Sequence, residues 1–209
     1  MNEMIVKTYV KRKVSEKNMK KNGVLRMYEH TYYRKNELEF HPYQREKAVE
    51  YAKTWALSRN PSYGDYEDMG GDCTNFISQC LHAGQIPFDE IGKDSLSKWY
   101  WYSDWTRSPS WTGVRPLRTY LLGNNTSETK NFGLYASFCD YEALELGDLV
   151  QKTIDGNLTH TMIITHKVYD SEGKISDYLI CQHSYDLIDY PLSQKDGVHS
   201  YIKIYGYYA

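Results

Sequence analysis

The apolar residues between positions 42 and 61 recur at helical spacing. Pro42 suits the first turn of a helix, and Asn60-Pro61 marks its end. The positions that share one face are Ala48, Val49, Ala52, Trp55 and Ala56. A face of this kind is typical of a helix that buries one side in a core.

A second helix is predicted directly after the turn-rich stretch PSYGDYEDMGG. Asp72 is a candidate N-cap, Cys73 is the first helical residue, and Ala83-Gly84 ends the helix. The apolar stripe consists of Cys73, Phe76, Ile77, Cys80 and Leu81. After a loop-rich region with a short amphipathic segment near residues 114–122, the pattern changes to β-rich runs at residues 148–153, 159–169, 175–183 and 198–207. Helices followed by an antiparallel sheet predict an α+β domain over residues 41–209.

Residues 1–40 differ in charge from the rest of the chain. They hold ten Lys or Arg against five Asp or Glu, which leaves 15 basic and 22 acidic residues for the remainder. Residues 4–14 and 24–34 flank SEKNMKKNG and predict a β-hairpin, while a basic helix over residues 6–21 is the alternative. This N-terminal basic extension is either a solvated face or an attraction site for an anionic polymer, and nucleic acid is not the expected partner.

The overall composition indicates a globular protein with reduced thiols. The 209 residues are 41% hydrophobic and 25% charged, and the four cysteines include no CxxC pair. No run approaches the ~18 apolar residues of a membrane span, and the N-terminus has no signal-peptide pattern, so no transmembrane segment and a cytoplasmic location are expected. Export by another route stays open, and the sequence does not predict the oligomeric state.

The stretch Gly70-Gly71-Asp72-Cys73 carries the main chemical signal. Two glycines permit a sharp turn just before a helix that begins with a cysteine. The helix dipole at that position favours the thiolate, so Cys73 is a candidate nucleophile, with a buried structural cysteine as the alternative. His160 opens the apolar strand TMIIT and is the candidate general base at the rim of the sheet.

Five segments together resemble a known family. PYQREKAVEYAKTWALSRNP, GGDCTNFISQCLHAG, SPSW, GDLV and THTMIIT are similar to the bacterial putative amidase domain family, which is grouped with NlpC-type and CHAP cysteine hydrolases in the papain-like superfamily. The resemblance implies a papain-like fold in which the helix that bears the nucleophile packs on an antiparallel β-sheet. It also implies that Cys73 and His160 form the catalytic pair.

A third polar residue is expected beside His160. A hairpin of residues 159–169 and 175–183 is centred near residue 172, which places position 184 opposite His160. The candidates are His183, Ser184 and Asp186. Related members of the superfamily often use a polar residue on the strand after the base, and this resemblance favours His183 over Asp186.

Four further residues are candidate substrate contacts: Asp72, Tyr66, Trp99 and Trp111. Flat aromatic faces can stack on sugar rings or peptide planes, although most such residues pack in cores, and Asp72 is also the expected helix cap. No cofactor or metal is expected.

The leading functional hypothesis is a cysteine amidase or peptidase that acts through a thioester acyl-enzyme, with peptidoglycan peptide or a related cell-wall amide as its partner by resemblance. An inactive wall- or carbohydrate-binding module of the same fold is the first alternative. A zinc-dependent hydrolase using Cys80, His82, Cys181, His183 and His160 is the second, although no zinc-binding spacing supports it.

Overall fold

The computed structural model describes residues 38–209, and these residues form an α+β domain. The helices are α1 (Arg45–Trp55), α2 (Cys73–Ala83), α3 (Pro109–Thr112) and α4 (Val114–Gly123). The strands are β1 (Phe40–Pro42), β2 (Trp101–Ser103), β3 (Thr106–Arg107), β4 (Gly133–Phe138), β5 (Leu149–Ile154), β6 (Asn157–Tyr169), β7 (Ile175–Gln182), β8 (Leu187–Pro191) and β9 (Val198–Tyr208). The hairpin or helix expected at the N-terminus lies outside the described residues.

The first helix is shorter than its sequence pattern. Pro42 does not open it but ends β1, where it pairs with Gly206 of β9. The residue before a proline is driven towards extended backbone, which suits His41 to a strand. Helix α1 therefore begins at Arg45, and it ends at Trp55 rather than reaching Asn60. The expected domain boundary at residue 40 falls within β1.

The main sheet contains the four strands that the sequence predicts, β5, β6, β7 and β9, with ends shifted by one or two residues. Its order is β1-β9-β5-β6-β7-β8, with β4 also paired to β9, and every pair is antiparallel. Ile163 of β6 lies opposite Cys181 of β7, a register centred on residue 172 as predicted. At the edge of the sheet, the backbones of Glu39 and Ala209 exchange hydrogen bonds of 3.0 and 3.1 Å.

Both faces of the sheet are covered. Helices α1, α2 and α4 pack on one face, in a core that includes Leu149, Ile163 and Cys181. The other face carries a second apolar cluster: Leu144, Val150, Met162, Ile164, Tyr178, Ile180 and Leu192. This two-sided burial explains why β6 reads as a continuous apolar run rather than an alternating one. No helix within residues 38–209 is long and apolar enough to cross a membrane.

Candidate active site

The turn into α2 depends on two glycines with left-handed backbone. Gly70 and Gly71 have φ angles of 107° and 110°, where a side chain is strained. A Cβ on Gly71 would also lie 3.1 Å from the Ser184 hydroxyl oxygen, and that hydroxyl accepts a 2.8 Å hydrogen bond from the Asp72 backbone N–H. The start of α2 is thereby fixed against the segment that follows β7.

Asp72 occupies the N-cap position of α2, but its side chain makes no capping hydrogen bond. The carboxylate is fully buried. It accepts hydrogen bonds from the Tyr66 backbone N–H at 3.0 Å, the Asn75 side-chain amide at 2.8 Å and His183 Nδ1 at 2.6 Å. A buried charge is tolerated when several donors satisfy it, so Asp72 serves as an internal hub rather than a cap.

His183 belongs to this hub and not to His160. Its Nε2 contacts the Trp55 carbonyl oxygen at 2.8 Å, and its ring stacks on Phe76 with centroids 4.0 Å apart. The Asp72 carboxylate and the Trp55 carbonyl therefore engage both nitrogens of the ring. The ring thus meets Asp72 and Trp55 rather than His160, and a catalytic role for His183 stays a prediction.

Asp186, the other candidate for the third position, is bound to Arg59. The guanidinium donates to its two carboxylate oxygens at 2.8 and 3.1 Å. Arg59 also reaches Glu67 at 3.1 Å, and its Nε lies 3.4 Å from Asp72 Oδ2. Asp186 therefore helps to join the segment after β7 to the loop before α2, and Arg59 is the common partner.

Cys73 begins α2 and is almost fully buried, with 6% of its surface exposed. Its sulfur lies 3.7 Å from the Thr74 hydroxyl oxygen. Burial raises the pKa of the Cys73 thiol, and the backbone of Thr161 and the Thr74 hydroxyl oppose that rise only in part. Burial therefore opposes the thiolate that the helix dipole favours.

His160 is 9% exposed, and it is neutral at physiological pH. Burial lowers the pKa of its imidazole to about 4, and the charges of Lys195 and Lys152 lower it further, while the Gln182 side chain and the His183 backbone act to raise it. A neutral imidazole can accept a proton, which a general base must do.

Cys73 contacts β6 directly beside His160, which is itself a residue of that strand. The thiol approaches the backbone of Thr161, the residue next to His160. Side chains alternate along a strand, so His160 shares the face of Met162 and Ile164, whereas Ile163 faces the helices. Within residues 38–209 no hydrogen bond joins the two side chains, and the thiol contacts Thr74 instead.

Gln182 is the polar residue that the sequence analysis missed. Its Oε1 and His160 Nε2 are both buried and have no hydrogen-bond partner among residues 38–209, although the Gln182 side chain is close enough to raise the pKa of His160. An acceptor oxygen and a ring N–H complement one another. Alternation offered a signal: position 184 was predicted opposite His160, and residue 182 lies on the same face of that strand.

The predicted substrate contacts are buried, so none of them lines an open cleft. Tyr66 is 3% exposed, and Asp72, Trp99 and Trp111 have no exposed surface. The indole N–H of Trp111 donates to Asn75 Oδ1 at 2.8 Å, and that of Trp99 donates to the Ser78 hydroxyl at 3.1 Å. These tryptophans fill the core beside α2 and satisfy its polar side chains, which accounts for their burial.

The residues considered for a zinc site do not assemble into one. The described part of the chain contains no group of three or more His, Cys, Asp or Glu side chains that could hold a metal ion. Cys80 and Cys181 lie in the apolar core, and His82 Nδ1 contacts the Ile86 carbonyl oxygen at 2.9 Å.

Comparison with known proteins identifies two relatives in Bacillus subtilis (strain 168). The uncharacterized protein YhbB is 36% identical over 128 residues, which are 60% of this chain and 38% of that protein. The uncharacterized protein YjcM is 28% identical over 167 residues, which are 74% of this chain and 35% of that protein. The chain thus spans little more than a third of the length of these curated relatives. No solved structure matches it. Residues 42–207 match the family described as the putative amidase domain, and the chain belongs to that family.

Proposed function

We propose that this chain is a cysteine-dependent amide hydrolase of papain-like architecture, with Cys73 as nucleophile and His160 as general base. Membership of the amidase family supports amide hydrolysis in general terms. The observation that carries the cysteine mechanism is the meeting of a helix-terminal thiol with the β6 backbone directly beside a neutral, buried imidazole. A helix N-terminus that carries a cysteine and packs on an antiparallel sheet that carries a histidine supports the papain-like assignment.

In the proposed reaction, His160 takes the thiol proton as the Cys73 sulfur attacks the carbonyl carbon of the amide. His160 then returns the proton to the leaving amine, which departs as a thioester forms on Cys73. Water activated by His160 hydrolyses the thioester and restores the thiol. The backbone N–H of Cys73, at the open end of α2, donates to the oxyanion that develops on the carbonyl.

Gln182 orients the base in this scheme. If its Oε1 accepts a hydrogen bond from the Nε2–H of His160, the imidazole is held in the tautomer whose free nitrogen is Nδ1. Nδ1 is then the atom that receives the thiol proton. The two side chains are not hydrogen-bonded at rest. The thiol meets β6 at the Thr161 backbone, where pairing with β7 has not yet begun, so the imidazole reaches the sulfur past this open strand edge when substrate binds; catalytic contacts often tighten in this way.

The hub around Asp72 supports the nucleophile without joining the chemistry. Asp72 immediately precedes Cys73, and His183, Asn75 and the Tyr66 backbone hold its carboxylate. In this role His183 is a positioning residue. Its loss is expected to reduce activity through misplacement of α2, together with a loss of stability.

The proposed substrate is a peptide amide of the bacterial cell wall. The test is incubation of the protein with peptidoglycan fragments, followed by mass spectrometry of the products. Wild type should release peptides with new amine and carboxyl ends, Cys73→Ala should release none, and the matched control Cys139→Ala should match wild type. A Cys73→Ala variant with wild-type turnover would overturn the proposal.

Two arms of the same experiment address the other classes of function. An inactive binding module would retain the fragments in a pull-down and yield no products. A zinc hydrolase would lose activity with a chelator and would be insensitive to iodoacetamide. For the proposed enzyme we expect the reverse pattern: loss of turnover on alkylation and no effect of the chelator. Gln182→Ala should lower kcat by about tenfold or more, since it frees the base to rotate.

A further inference from the structure

Three nitrogen-bearing side chains lie in a row across the sheet beside the candidate base. Lys152 of β5 is paired with His160 of β6 on one side and with His199 of β9 on the other. Directly opposed residues of neighbouring antiparallel strands share a face, with their Cβ atoms about 5 Å apart. The row His199–Lys152–His160 is therefore continuous, and it ends at the proposed catalytic imidazole.

A second lysine, Lys195, lies near the row on the segment between β8 and β9. Lys195 Nζ lies 5.9 Å from the ring centroid of Tyr190, and no carboxylate among the described residues forms a salt bridge with it. Among the described residues, Asp196 is the carboxylate paired with Lys152: its Oδ1 lies 2.9 Å from Lys152 Nζ, and its side chain is 76% exposed. Two ammonium groups thus face one solvent-exposed carboxylate.

Asp196 offsets the positive charge of the row only in part. Besides burial, the charge of Lys152 lowers the pKa of Lys195 although Asp196 acts to raise it, and both lysines act to lower the pKa of His160. His199 Nε2 is buried and has no hydrogen-bond partner within residues 38–209. Repelling cations and an unpaired buried ring nitrogen are the features that a bound anion would relieve.

We infer that Lys152, Lys195 and His199 form a subsite for a carboxylate of the substrate, so that the amide cleaved lies close to a free carboxylate in an acidic peptide. This inference rests on the proposed function and narrows its substrate class. After Asp196 is counted, the two lysines leave one net positive charge. That charge matches a single carboxylate, whereas a phosphate dianion would leave excess negative charge beside Asp196.

The test uses pairs of peptidoglycan stem peptides that are identical except that one carboxylate is free or converted to a carboxamide. Wild type should prefer the free acid by about tenfold or more in kcat/KM, because a hydrogen bond to a charged group contributes at this level. Lys195→Gln should bring that ratio close to one, mainly through KM, and Lys195→Arg should restore part of it. Lys174→Met removes an exposed lysine from the β6–β7 turn and should keep the wild-type ratio.

Binding to the Cys73→Ala variant, measured by calorimetry, separates the two proposals. Tighter binding of the free acid, lost in Cys73→Ala/Lys195→Gln but kept in Cys73→Ala/Lys174→Met, supports the subsite even if wild type shows no turnover. Turnover of both peptides at equal rates, with equal binding, would overturn the subsite and leave the hydrolase proposal standing. Circular dichroism of each variant confirms that a lost preference does not reflect unfolding.

Discussion

Replacing His160 with Gln should change how the stability of the domain depends on acid. Burial lowers the pKa of this imidazole from the usual 6.5 to about 4. Between these values the unfolded chain binds a proton that the folded chain does not. The free energy of unfolding therefore rises with pH in this window. The contribution of His160 to it is lost as the pH falls from 6.5 towards 4.

The size of the effect follows from the shift. One pKa unit corresponds to about 1.4 kcal/mol, so the shift of His160 amounts to about 3 kcal/mol when fully expressed. At pH 5 the unfolded state is almost fully protonated at this position while the folded state is still largely neutral. At pH 5 the shift of His160 has therefore already lowered the free energy of unfolding by about 2 kcal/mol.

Urea unfolding at pH 7.5, 6 and 5 measures the effect. Wild type should lose about 2 kcal/mol more than His160→Gln between pH 7.5 and pH 5. Buried Asp89, whose pKa burial raises to about 6, gives the opposite trend, but it is present in both proteins and cancels in the difference. His166→Gln, which removes an exposed imidazole from the same strand, controls for the loss of a histidine as such.

Parallel stability curves for wild type and His160→Gln would refute the reasoning. They would show that the imidazole takes up its proton equally easily in the folded and unfolded chains. The site would then hold an accessible histidine, and the argument for a neutral base in a buried setting would fail.

Three other predictions concern the hub, the thiol and the extension. His183→Ala should cost about 3–5 kcal/mol, because it removes a buried ring packed on Phe76 together with a hydrogen bond to the buried Asp72 carboxylate, and should lower the melting temperature by roughly 6–20 °C in calorimetry; an unchanged melting temperature would contradict this buried contact. Alkylation of Cys73 by iodoacetamide should accelerate above pH 9, because burial raises the thiol pKa above 9.0, whereas a plateau below pH 7 would reveal a thiolate–imidazolium pair instead. Removal of residues 1–36 should leave cooperative thermal unfolding intact, since the pairing of β1 with β9 is retained from Glu39 onward; loss of cooperativity would place the extension in the core.

Local patterns in the sequence account for most of the fold. The stripe that starts at Cys73 identifies α2 with both ends correct, because glycines bracket the helix and its apolar spacing is regular. The register of β6 and β7 could also be predicted, since a tight turn centred on residue 172 fixes it. Strands β1, β2, β3, β4 and β8 were missed: all but β4 have five residues or fewer, and strands at the margin of a sheet carry weak alternation.

The contacts of the candidate site could not be predicted from the sequence. Which residue meets His160 depends on the face and reach of each side chain, and the two protonatable candidates, His183 and Asp186, are held by Asp72 and Arg59 instead. Trp99 and Trp111 were equally ambiguous, because an indole that stacks on a sugar and one that fills a core have the same sequence signature. Burial of Trp111 and its bond to Asn75 follow from three-dimensional packing.

The paired backbones of Glu39 and Ala209 have a consequence for protein engineering. Because the two residues exchange hydrogen bonds across the sheet edge, the chain enters and leaves the domain at one point. A domain with adjacent ends tolerates circular permutation and insertion into a host loop. A short linker from residue 209 to residue 39, with new ends cut into the exposed turn at Ser171 to Gly173, would preserve every strand of the sheet.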